Sequence, residues 1–62
     1  MKKIIILDFS EGETIILDYD HNVYSSLHIQ DFLDEVNNNY DYDLKEGNCE
    51  WMIVDALSIK IH

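Results

Sequence analysis

One stretch of the chain carries a helical period, and it decides what the rest can be. In Ile29 to Tyr40, IQDFLDEVNNNY, the apolar residues Ile29, Phe32, Leu33, Val36 and Tyr40 recur at the i, i+3, i+4, i+7 spacing of one helical face. Asp31, Asp34, Glu35, Asn37 and Asn38 fall on the other side. Everything else reads as strand or turn. A single helix in such a chain must therefore cover a sheet.

The strands follow in order. Lys2 to Phe9 and Thr14 to Tyr19 are rich in Ile and Leu and near copies of each other, IIILDFS and TIILDYD. Between them Ser10-Glu11-Gly12-Glu13 reads as a turn, with Gly12 able to take a positive φ. Asp20 to Leu27 is a loop, and Ser25 and Ser26 are the candidate N-caps of the helix. The helix is expected to fray through Asn37-Asn38-Asn39, because Asn prefers caps and turns. Asp41 to Asn48 is a polar loop. Glu50 to Val54 is the third strand, Asp55-Ala56 a short turn, and Leu57 to Ile61 a fourth strand with Ser58, Lys60 and His62 on its other face. The expected fold is a single α+β domain over residues 1–62 with ββαββ order. Its four-stranded, mainly antiparallel sheet carries the helix on one face.

A chain of 62 residues makes one domain. It buries only about 60% of its unfolded surface, so its core is marginal. Thirteen acids face four lysines and no arginine, for a formal net charge of −9. That charge argues against binding nucleic acid or an anionic membrane, both of which need basic patches. It favours a basic protein partner, or it simply solvates the surface. The lone Cys49 cannot form an internal disulfide. The run after Met1-Lys2-Lys3 stops at Asp8, too short for a signal peptide, which leaves a reducing cytoplasm as the expected location.

One helix covers one face of a four-stranded sheet. Alternation then leaves apolar residues of the second face exposed, and Ile4, Ile6, Ile16, Met52 and Val54 are the residues assigned there. The expected occupant is a second copy or another protein. The alternative is a loop, such as the region of Tyr24, folding back over the patch.

Catalytic constellations fare less well. Asp18-Tyr19-Asp20 after Ile15-Ile16-Leu17 resembles the strand-end DxD of haloacid-dehalogenase-type phosphatases, where two carboxylates hold Mg²⁺ and one attacks phosphate. The chain has no room for the parallel sheet, the lysine and the later acids that such chemistry needs. Asp18, Asp20 and Asn22 also match the first ligands of an EF-hand loop, but Val23 stands at the glycine position and Ile29 at that of the bidentate glutamate. His21, His28, His62 and Cys49 show no zinc-ligand spacing. Cys49 reads as a small buried residue at a strand start. No catalytic residue, metal site or cofactor is expected.

The segments Lys3-Ile4-Ile5-Ile6-Leu7-Asp8-Phe9-Ser10 and Asn48-Cys49-Glu50-Trp51-Met52-Ile53-Val54-Asp55, with Ile61-His62, resemble small uncharacterised bacterial proteins. The resemblance spans most of the chain and implies a small intracellular bacterial or mobile-element protein. It implies no activity and no site residue.

The remaining signal is distributed acid. Asp18, Asp20, Asp31, Asp34, Glu35, Asp41 and Asp43 are the candidate acidic interaction residues. Carboxylates spread over a small rigid surface can imitate the phosphates of a nucleic acid and occupy a basic groove. The expected role is therefore a non-enzymatic interaction module, in its sharpest form a nucleic-acid mimic that inhibits a basic host protein. The alternative is a small dimeric, regulatory or antitoxin-like protein that binds through its apolar sheet face.

Overall fold

A computed structural model describes residues 1–24 and 28–62. Three antiparallel strands form one sheet: β1 (Lys2–Asp8), β2 (Glu13–Tyr19) and β3 (Cys49–Val54), in the order β2-β1-β3. Between β2 and β3 lie a single helical turn, α1 (His21–Tyr24), and the main helix, α2 (Ile29–Tyr40). The helix spans the residues its periodicity predicts.

The central place of β1 follows from its sequence. A strand buried on both faces reads as a continuous apolar run, and Ile4, Ile5 and Ile6 are all buried. Asp8 opens the hairpin loop: its carboxylate accepts from the Ser10 backbone N–H at 3.1 Å and from the Ser10 hydroxyl at 2.8 Å. Gly12 closes the loop at φ +65°, a conformation that side chains resist.

Asp8 pairs with Glu13 across this loop, so each even-numbered residue of β1 opposes an odd one of β2. Ile4 faces Leu17 and Ile6 faces Ile15. On β3 the parity is the same, with Ile4 opposite Ile53 and Ile6 opposite Trp51. Opposed residues share a face. One face therefore carries Ile4, Ile6, Ile15, Leu17, Tyr19, Cys49, Trp51 and Ile53. All of these but Ile53 meet Phe32, Leu33 and Val36 of α2 in the core. Tyr19, Tyr24 and Phe32 form an aromatic cluster there, with centroids 4.9 to 5.6 Å apart.

The helix begins at His28, whose extended backbone and Nδ1, accepting from the Gln30 N–H at 3.3 Å, make it the N-cap. Ser25 and Ser26, the sequence candidates for that place, lie outside the described residues. The expected fraying at Asn37 does not occur. Asn37 is held by Leu44, and the helix runs on until Asp41 turns left-handed at φ 59°. Tyr40 leaves the core and stacks on Tyr42 at 5.9 Å. The Asp41–Asn48 loop is less polar in effect than in composition, because Leu44 plugs the core at 1% exposure.

Two further expectations are corrected. Residues 57–62 form no strand, so the sheet has three strands rather than four. A two-residue hairpin at Asp55-Ala56 would require positive φ, which only Gly12 and Asp41 adopt among the described residues. Ile4 and Ile6 belong to the helix face, fully buried, and not to the open one. The alternation along β1 was legible; the four-residue loop that sets its parity against β2 decides which half faces the helix.

Candidate interaction surfaces

The open face of the sheet carries Lys3, Ile5 and Leu7 from β1, Thr14, Ile16 and Asp18 from β2, and Glu50, Met52 and Val54 from β3. Of the five apolar residues assigned to this face from sequence, Ile16, Met52 and Val54 are there. Ile5 and Leu7 take the places given to Ile4 and Ile6. Ile5 is only 7% exposed, shielded by its neighbours Ile16 and Met52, while Leu7 and Met52 are open to solvent. Ile5, Leu7, Trp51 and Met52, with Glu50, line a shallow apolar depression. Tyr24 packs on Tyr19 and Phe32 at the helix side, so its ring does not cover this patch.

Charge on the open face is nearly balanced. The Lys3 ammonium donates to the Asp18 carboxylate, and that hydrogen bond and the lysine's charge hold the Asp18 carboxyl below its ordinary range. Glu50 is the remaining charge.

The acids lie elsewhere. Asp31, Asp34 and Glu35 are exposed on α2, and Asp41 and Asp43 on the loop that follows. None of these five enters an ion pair with a lysine or histidine among the described residues. Asp34 accepts from the Gln30 side chain at 2.9 Å, and Glu35 accepts from the Tyr24 hydroxyl at 2.9 Å. The second bond, made best by the neutral phenol, pushes the Tyr24 pKa up. Asp41 and Asp43 share a cleft with Asp8 at the end of β1, Glu11 of the β1–β2 loop and Glu13 at the start of β2. This grouping joins segments about thirty residues apart in sequence, and no local pattern announces it.

The other two acidic candidates separate from this set. Asp18 is neutralised by Lys3, although it borders the same cleft as Glu35 between β2 and α2. Asp20 begins α1 by accepting from the Asn22 N–H at 3.1 Å. The strand-end DxD is thus divided between an ion pair and a turn. No three His, Cys, Asp or Glu side chains gather around a common point among the described residues.

Cys49 sits buried at the start of β3, and its thiol donates to the Lys45 carbonyl at 3.2 Å. Burial raises its pKa, and the nearby charges of Asp8, Glu50 and Glu46 add to the effect. The site favours the neutral thiol, the opposite of what a nucleophile needs.

No helix among the described residues is long and apolar enough to cross a membrane. Compared with known protein families, curated proteins and solved structures, the chain matches none of them.

Proposed function

We propose that the protein is a non-enzymatic interaction module that binds a basic protein partner through its helix and loop surface. One observation carries this reading: Asp31, Asp34, Glu35, Asp41 and Asp43 are all exposed and are not offset by a lysine. Glu11 and Glu13 line one cleft with Asp41 and Asp43, which adds carboxylates beside the C-terminal end of α2. Such a surface steers a basic groove towards it and occupies the place of nucleic-acid phosphates. The partner class is a nucleic-acid-binding protein, and the effect on it is inhibition.

A pull-down from nuclease-treated bacterial lysate at low and high salt tests this. A basic nucleic-acid-binding protein should be retained at low salt and released at high salt, because exposed charge pairs are screened. The double change Asp41→Lys/Asp43→Lys should abolish its capture. Retention that ignores both salt and these substitutions overturns the reading.

The open sheet face favours a second reading, a small regulatory or antitoxin-like protein that seats a partner on Leu7, Ile16 and Met52. Apolar burial does not weaken with moderate salt. A partner that stays bound at high salt and is lost in Met52→Asp would belong to that face.

A further inference from the structure

Residues 57–62 are patterned as a strand and join no sheet. Leu57, Ile59 and Ile61 alternate with Ser58, Lys60 and His62, and the segment holds neither Gly nor Pro. Ile59 is 63% exposed and Ile61 91%. The segment follows β3 in sequence, and the outer edge of β3 carries no strand among the described residues. An exposed apolar segment next to an open sheet edge is a place where chains pair.

The segment cannot readily fold back onto its own β3. A two-residue joint at Asp55-Ala56 needs left-handed residues, and Ala56 lacks a positive φ. That joint would also set Leu57 opposite Val54 and Ile59 opposite Met52. Ser58 and Lys60 would then stand on the helix side, against Ile53 and Trp51, where a lysine is costly.

We infer that the segment pairs instead with β3 of a second copy of this chain, each copy lending its residues 57–61 to the other about a two-fold axis at Asp55. The joint then runs straight on from β3 and needs no turn. In this antiparallel register Leu57 opposes Ile53, Ile59 opposes Trp51 and Ile61 opposes Cys49, all on the helix side. On the open side Ser58 opposes Met52 and Lys60 opposes Glu50. The one register that places every apolar residue beside an apolar or buried neighbour also brings the only lysine of the segment against the only unpaired acid of the open face. Asp55 meets its own symmetry mate at the axis, and Lys2, whose Nζ lies 3.2 Å from the Asp55 carboxylate, offsets that repulsion. The exchange leaves the acidic surface free and stands independently of the reading given to it. It extends an open strand edge, as short swapped hinges do.

Sedimentation equilibrium of the full chain at low salt tests it with four variants. The wild type should be a dimer into the high-micromolar range. Ile59→Pro, which removes a ladder N–H at an exposed residue outside every element, should be monomeric with an unchanged far-UV spectrum. Lys60→Glu should weaken the dimer on the order of tenfold, and Glu50→Lys/Lys60→Glu should restore it. A monomeric wild type overturns the exchange. So does a dimer that survives Ile59→Pro and is lost in Ile16→Asp, which would place the contact on the open face. A charge swap that fails to restore the dimer overturns the register.

Discussion

Asn37 and Leu44 hold each other by two hydrogen bonds: the Asn37 amide donates to the Leu44 carbonyl at 2.9 Å, and the Leu44 N–H donates to the Asn37 side-chain oxygen at 2.8 Å. The asparagine thus plays the part of a neighbouring strand for one residue of loop. It satisfies both backbone groups of a residue whose side chain is wholly buried. Sequence position alone would rank Asn37 with Asn38 and Asn39; the contact separates it from them.

Replacing Asn37 with Ala should therefore cost about 2 kcal/mol, since it strands a buried donor and acceptor together. In a domain of this size that lowers Tm by roughly 10 °C, less a few tenths of a kcal/mol regained from helix propensity. Asn38→Ala, at an exposed site on the same helix, should leave Tm unchanged or slightly raised. Thermal unfolding followed by circular dichroism compares the two. Equal shifts would show that the clasp contributes nothing.

Leu44 itself seals the core from the loop side. Leu44→Ala removes a fully buried side chain and should destabilise by about 2–5 kcal/mol, as much as Leu33→Ala. Small domains have only about 0.05–0.15 kcal/mol of stability per residue, so either variant should be largely unfolded near body temperature. Val23→Ala, at an exposed site, should cost far less. Urea unfolding of the three variants orders them.

Burial holds the Cys49 thiol neutral, and the sign of its contribution follows. A pKa raised on folding gives stability that is full below the unfolded value of about 8.5 and is lost as pH rises through the folded one. Tyr24 adds a loss of the same sign at higher pH. Denaturant midpoints should therefore fall above about pH 8.5, and Cys49→Ala should flatten the first part of that decline. Iodoacetamide should label the folded thiol much more slowly than the thiol in urea. Equal labelling rates would place Cys49 in solvent.

How far the fold could be read from residues depended on whether the deciding interaction was local. The helix from Ile29 to Tyr40 and the strand content of its flanks follow from periods that neighbouring residues set. The sheet's third strand was legible for the same reason. What was not legible depends on distant segments. Leu44 lies in a polar stretch and is made a core residue only by Asn37 and the sheet beneath it. The acids Asp41 and Asp43 meet Glu11 and Glu13 only because the first hairpin loop ends beside the loop after α2. The 57–61 segment has a strand's pattern but lacks a joint that can return it to its own sheet, and pattern does not reveal the geometry of a turn.

The assignment of faces is where reading and structure diverge most sharply, and one pair of substitutions resolves it. Ile4 and Ile16 are both isoleucines on adjacent strands, and the sequence reading put them on one face. The hairpin register puts Ile4 against Leu17 under the helix and Ile16 against Ile5 on the open side. A lysine at position 4 would bury an ammonium with no partner, at a cost of several kcal/mol that a domain this small does not hold in reserve. Ile4→Lys should therefore be unfolded by circular dichroism and amide hydrogen exchange. Ile16→Asp places its carboxylate at a surface already open to water, on an edge strand, and should fold with a loss of about 1 kcal/mol. The reverse result, a folded Ile4→Lys beside an unfolded Ile16→Asp, would mean that the helix covers the other face and that β1 is turned over.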